Sequence, residues 1–70
     1  MNWTATPESS NLSGFGYIEE TRVLTIEFKN GTRYNYYDVP KSLVDEMRAA
    51  GSKGQFLAQR IKGVYRYARA

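Results

Sequence analysis

The 70-residue sequence predicts an α+β fold, a small antiparallel β-sheet in the order β-β-β-α-α-β with its helices packed on one face. Three observations predict it. Apolar and polar residues alternate from Val23 to Phe28 and again from Thr32 to Asp38, either side of an Asn30-Gly31 turn signal. From Val39-Pro40 onward apolar residues recur at helical spacing, and after Gly63 a short strand pattern returns. The length suits one domain and not two. Residues 1–8 read as an N-terminal tail and 9–70 as the domain.

Met1 to Asn11 is polar, contains Pro7 and has no periodicity, so it reads as a tail that docks at its end. Trp3 is its one large apolar group besides the initiating Met1, and the expectation is that it packs on the domain's edge. Ser13 to Glu20 reads as the first strand, with Phe15 and Tyr17 on one face and Gly14, Gly16 and Ile18 on the other. Glu19-Glu20-Thr21-Arg22 is a turn. Val23 to Phe28 is the clearest strand: Leu24, Ile26 and Phe28 give it a fully apolar face.

The register of the next strand, Thr32 to Asp38, follows from burial. A two-residue Asn30-Gly31 loop would set Phe28 against Arg33 and Ile26 against Asn35. A three-residue Lys29-Asn30-Gly31 loop, with Gly31 left-handed, pairs Ile26 with Tyr34 and Leu24 with Tyr36. A one-residue slip turns every side chain over, so the second register is expected. It places Tyr34 and Tyr36 in the core, and Arg33, Asn35 and Tyr37 on the far face beside Thr25 and Glu27.

Val39-Pro40 opens a helix, since proline suits a first helical position. Leu43, Val44, Met47 and Ala50 form its stripe, and Gly51 is placed to end it. Ser52-Lys53-Gly54-Gln55 has the form of a capping box, so a second helix starts at once. Phe56, Leu57 and Ile61 are its apolar side, and Gly63 stops it. Val64 to Ala68 is the last strand, which must return to a sheet edge.

The composition narrows the chemistry. There is no cysteine and no histidine. Disulfides are therefore excluded, the commonest transition-metal ligand is absent, and no cofactor is expected. Nucleophilic or acid–base catalysis by Cys or His is excluded too. A Ser52–Lys53 pair is formally catalytic, but adjacent residues at a helix start do not face each other and Ser52 is the cap. Glu19-Glu20 reads as solvated turn charge. Gly14-Phe15-Gly16 lacks the following helix that a phosphate loop needs. The free N–H groups near Lys53 and Gly54 read as an ordinary helix start rather than an anion seat. The expectation is that the chain is not an enzyme. No apolar stretch approaches the ~20 residues needed to cross a bilayer, and no secretory leader is present, so no membrane partner is expected and the cytoplasm is the default location.

Charge is unevenly spread. Residues 1–50 hold five Lys/Arg against seven Asp/Glu, whereas residues 51–70 hold five Lys/Arg and no acid. The simpler reading is a solvated surface balanced across the fold by the acidic part. The functional reading is a basic face for an anionic partner.

The ordered set Ser9-Ser10, Leu12, Phe15-Gly16-Tyr17, Leu24, Ile26, Phe28, Asn30-Gly31, Tyr34-Asn35-Tyr36, Val39-Pro40, Ser52-x-Gly54, Phe56, Ile61, Tyr65 and Tyr67 resembles the KTSC domain family, over about residues 9–69. The resemblance implies a domain found at the C-terminus of some lysyl-tRNA synthetases and as a stand-alone chain in bacteria and phages. RNA is the partner that this association suggests. The chain starts and stops near the domain edges, which suggests a stand-alone member. It departs from the family where Ala58 replaces a frequent Asn and Leu57 a frequent aromatic, so no site is carried over there.

The leading expectation is a nucleic-acid-binding module, for RNA above all. Lys53, Arg60, Lys62, Arg66 and Arg69 are the candidate phosphate contacts, with Arg33 and Tyr37 as lesser candidates. The alternative is a phage or bacterial accessory module that docks on a host protein or self-associates through an exposed strand. A remote third reading is an enzyme using only hydroxyls, amines or carboxylates.

Overall fold

The computed structural model describes residues 2–70. One antiparallel sheet holds five strands in chain order: β1 (Asn2–Ala5), β2 (Leu12–Ile18), β3 (Val23–Phe28), β4 (Arg33–Tyr36) and β5 (Tyr67–Arg69). Between β4 and β5 come α1 (Lys41–Ala49) and α2 (Lys53–Phe56), and α2 runs on as a π turn, Leu57–Ile61. The α+β antiparallel class is the predicted one. No helix among the described residues is long and apolar enough to cross a membrane.

The N-terminal segment read as a tail differs from expectation: it carries an edge strand. β1 sets Trp3 opposite Gly16 and Ala5 opposite Gly14. The Trp3 indole lies on Gly14, where a Cβ would come within 2.8 Å of both Trp3 Nε1 and the Thr4 carbonyl oxygen. Buried Thr6 closes the strand, donating from Oγ1 to the Leu12 carbonyl at 2.9 Å. Four residues with one large apolar group show no alternation. The strand exists because a glycine on β2 leaves room for the indole.

A bulge in β2 explains how Leu12 joins Phe15 and Tyr17 in the core. By strict alternation Leu12 would face away from Phe15. The register shift between Leu12 and Gly14 places it opposite Phe28, while Phe15 meets Ile26 and Tyr17 meets Leu24. The β3–β4 hairpin has the predicted three-residue loop. Phe28 N–H donates to the Thr32 carbonyl at 2.8 Å, Gly31 N–H to that of Phe28 at 2.9 Å, and Gly31 has φ +89°. Ile26 pairs with Tyr34 and Leu24 with Tyr36. Both helices cover this face: Leu43, Val44 and Met47 of α1, with Leu57 and Ile61 of the π turn, complete one core with Phe15, Leu24, Ile26 and Val39. The Tyr17 hydroxyl donates to the Val39 carbonyl, so the buried phenol is satisfied.

Pro40 is the N-cap of α1 and not its first residue, with φ −71° and ψ 147°. Its carbonyl accepts from Leu43 N–H at 3.1 Å. The helix ends at Ala49, two residues before Gly51, because Ala50 is already extended (φ −68°, ψ 140°). Gly51 is not left-handed. The extended path delivers Ser52 as the cap of α2, its Oγ accepting from Gln55 N–H at 3.3 Å. The second helical segment likewise ends before its predicted glycine, at extended Lys62 (φ −64°, ψ 125°), and Gly63 at φ +82° turns the chain just beyond it. The last strand is displaced from the predicted Val64–Ala68. Val64 and Tyr65 spend their N–H groups on the Ile61 carbonyl at 3.0 and 3.2 Å, so pairing begins only at Tyr67. Val64 is left 65% exposed.

Candidate nucleic-acid interface

The strand register divides the sheet into a covered face and an open one. On the open face, Trp3 leans from β1 over β2, and the Arg33 guanidinium reaches from β4 to lie 5.3 Å from the centre of its ring. Arg33 Nε also donates to Glu27 Oε1 at 2.6 Å, and Thr25 Oγ1 donates to Asn35 Oδ1 at 2.7 Å. The predicted far-face grouping of Arg33 and Asn35 with Thr25 and Glu27 therefore holds. Its polar groups are occupied by one another. Arg33 is tied to a carboxylate and an indole, and Trp3 keeps 43% of its surface exposed.

The seven candidate residues do not form one patch. Lys53 is half-buried at the start of α2, its Nζ donating to the Ala50 carbonyl at 2.8 Å. Arg60 points toward α1: Nη1 lies 3.4 Å from Glu46 Oε1 and the guanidinium 5.3 Å from the Phe56 ring centre. Arg66 sits at one end of the β4–β5 ladder, 3.2 Å from Asp38 Oδ2 and 5.8 Å from the ring centre of Tyr37, whose N–H donates to the Arg66 carbonyl. These exposed pairs contribute little to stability, but each sets an acid beside a cation. The acidic part of the chain thus pairs with Arg60 and Arg66 of the last twenty residues, two of the five cations there, while Arg33 pairs within its own part.

Lys62 and Arg69 stand apart. Among the described residues neither has a carboxylate partner, which is true also of Arg22, Lys29 and Lys53, although the Lys53 ammonium is tied to the Ala50 carbonyl. Arg69 is opposite Tyr34 on β5, at the far end of the ladder from Arg66. Lys62 and Lys29 line a cleft of about 400 Å³ between the β3–β4 hairpin and the residue after the π turn. Phe28 and Tyr34 form its apolar floor, edge to face with centroids 5.6 Å apart and planes at 82°. The aromatic row continues from Tyr34 to Tyr67 at 5.6 Å, and from Tyr67 to buried Tyr36 at 5.5 Å. Tyr67 is 58% exposed, so this edge of the covered face is open to solvent. Burial pushes the Tyr36 phenol above its ordinary range, and the neighbouring Tyr67 and Tyr34 hydroxyls add to the shift. Burial likewise raises that of Tyr17.

Sequence reasoning missed Lys29, Phe28 and the exposure of Tyr34. Lys29 was legible only as a turn residue. The bulged loop register does put it beside the end of the apolar face, which is the signal that was available. The return of Lys62 to that end depends on the π turn and could not be read from spacing.

A larger cleft, about 720 Å³, lies between the β1–β2 connection and the start of α2. Several of its polar groups are engaged. Ser9 Oγ accepts from Leu12 N–H at 3.0 Å and donates to Asn11 Oδ1 at 3.0 Å. Lys53 and Ser52 are bonded as above, and Arg48 pairs with Asp45 at 3.0 Å. A Cβ on Gly54 would meet Asn11 Oδ1 at 2.6 Å. The Ser9 and Ser52-x-Gly54 segments thus clasp each other, a structural task. The smaller cleft differs in setting Lys29 and Lys62, which have no carboxylate partner among the described residues, beside the half-buried rings of Phe28 and Tyr34.

A small single-sheet α+β module with cations and aromatics at one sheet edge is the class defined by fold and surface. The chain belongs to the KTSC domain family, whose model matches residues 8–65. It is 41% identical over 61 residues to a lysine–tRNA ligase of Nostoc punctiforme, a match covering 87% of this chain and 11% of that protein. The chain thus spans about a tenth of the length of the ligases it matches. It is 38% identical over 61 residues to an uncharacterised protein of Stutzerimonas stutzeri, covering 86% of each. The crystal structure of a KTSC domain protein from Yersinia pestis superposes with a TM-score of 0.89 at 30% identity, covering 99% of this chain and 96% of that one.

Proposed function

We propose that this domain is a non-catalytic RNA-binding module of the cytoplasm, and that it contacts RNA through the sheet end bearing Lys62, Arg69 and Lys29. The observation that carries the reading is the gathering of cations without carboxylate partners beside the Phe28–Tyr34–Tyr67 row. Backbone phosphates need such cations, and unpaired bases need exposed rings. Relatives named lysine–tRNA ligases act on an RNA, which supports the choice of nucleic acid. Non-catalytic action fits a chain without His or Cys, whose Ser52 hydroxyl already accepts a main-chain bond.

Fluorescence anisotropy with labelled single- and double-stranded RNA tests the reading. Affinity should fall linearly on a log–log plot against salt, with a slope of about −2 to −4 for three to five contacts on a single strand. Lys62→Glu and Arg69→Glu should remove binding with the fold intact. Arg60→Glu should do less, because its native charge already faces Glu46. Absence of binding at high micromolar protein, or binding indifferent to these reversals, would favour the second reading. That is a protein-interaction module docking through β5, an edge strand flanked by exposed Val64 and bearing exposed Tyr67.

A further inference from the structure

The cleft between the β3–β4 hairpin and Lys62 is rich in hydrogen-bond donors, beside the Thr32 and Tyr34 hydroxyls, which can donate or accept. Asn30 Oδ1 accepts from Thr32 N–H at 3.0 Å, which fixes the amide orientation and leaves its NH₂ as the free group. Asn11 Oδ1 accepts from Ser9 Oγ, which itself accepts two main-chain N–H groups and so must donate here; again the NH₂ remains. The main-chain carbonyls of Asn11, Phe28 and Thr32 are taken by Lys29, Gly31 and Phe28 N–H at 2.9, 2.9 and 2.8 Å. The two lysines add ammonium groups, and no carboxylate lines the cleft.

We infer that this cleft seats one unpaired base of a single-stranded RNA and favours a base with a carbonyl at the pyrimidine 4 or purine 6 position, uracil or guanine, over cytosine or adenine, which carry an amino group there. The inference rests on the RNA-binding reading above and specifies the chemistry of that surface. The volume, about 400 Å³, lies within the range of small-ligand sites. A planar base laid on one ring of the Phe28–Tyr34 pair meets the edge of the other, since the rings stand at 82°. Stacked and edge-on contacts are both favoured aromatic arrangements. Uracil O4 or guanine O6 then accepts from the asparagine amides. Cytosine and adenine offer an amino donor at that edge and leave donor facing donor. Lys29 and Lys62 hold the flanking phosphates.

The test is anisotropy with fluorescein-labelled octauridylate and octacytidylate, and with an RNA duplex, at low salt. Octauridylate should bind at least roughly fivefold tighter than octacytidylate, the worth of about one net hydrogen bond, and tighter than the duplex. Asn30→Asp keeps the oxygen that caps the turn and removes the donor. It should bring the uridylate-to-cytidylate ratio to one or below, since the new carboxylate oxygen also accepts from the cytosine amino group, whereas negative charge acting on the phosphates alone would weaken both equally. Lys29→Ala, at an exposed turn position, should make the single-strand salt slope shallower by about 0.7. No binding of any RNA would overturn the RNA reading together with this one. Binding without base preference, or a ratio unchanged by Asn30→Asp, would overturn the base-seat inference and leave the RNA reading standing.

Discussion

Tyr34, Tyr36 and Tyr37 sit within four positions and have three different environments. Tyr36 is 3% exposed beneath the helices, whereas Tyr34 is half-buried because the three-residue β5 covers it incompletely. Tyr36→Ala should cost about 3–5 kcal/mol in chemical denaturation, as for a large core ring. Tyr34→Ala should cost less than half of that, although alternation alone assigned both rings to the core. Tyr37→Ala should be near neutral, and the reverse order would mean that the register is wrong by one. The buried phenols also make an alkaline prediction. Desolvation raises Tyr17 and Tyr36 above the ordinary 10.0. The folded state thus holds these protons more tightly than the unfolded chain. Their contribution is complete below pH 10 and is lost as pH climbs through the raised values. Denaturation midpoints measured upward from pH 9 should fall beyond pH 10, and Tyr36→Phe should flatten that fall.

Among the elements, those specified by local signals were legible and those specified by a distant partner were not. The Asn30-Gly31 loop, the Ser52 cap and the Gly63 turn each carry their cause within a few residues. β1 has its cause eleven residues beyond Trp3, in Gly14, and the β2 bulge has its cause in the need to bring Leu12 under the helices. Gly14→Ala should therefore displace the Trp3 indole and free β1, shifting tryptophan emission to the red and costing about 1–3 kcal/mol by overpacking. Ser52→Ala should lose about 1 kcal/mol with the cap and leave RNA affinity unchanged. Gly54→Ala should be more damaging, because the Cβ would press on an asparagine oxygen already fixed by Ser9. Loss of RNA binding in a stable Ser52→Ala variant would instead return the interface to the larger cleft.

For the molecule as a whole, net charge is a poor guide to where an anion would sit. The sequence showed five cations in the last twenty residues, but topology sets Glu46 and Asp38 from the acidic part against Arg60 and Arg66. Three-dimensional pairing removes them from the candidate patch, and Lys29 enters it from the part that looked acidic. The α+β class, the hairpin register and the single helix-covered face followed from alternation and turn chemistry. The interface depends on chain-distant neighbours, and those follow from the tertiary path. Arg66→Glu should accordingly change RNA affinity far less than Lys62→Glu at equal ionic strength.

The π turn gives this last point an evolutionary edge. Its hydrogen bond runs from Lys62 N–H to the Leu57 carbonyl at 2.8 Å, spanning one residue more than an α turn. Leu57 and Ile61 are buried, while Ala58, Gln59 and Arg60 between them are exposed. Losing one of the exposed residues would leave the two core side chains three apart, still on one face of an ordinary α-helix. The following residue would be drawn back by about 1.5 Å and turned by about 100°. Lineages could thus re-aim the cation at position 62 by a single-codon deletion with the core kept, a route to new ligand preferences that no catalogue of point substitutions would reveal.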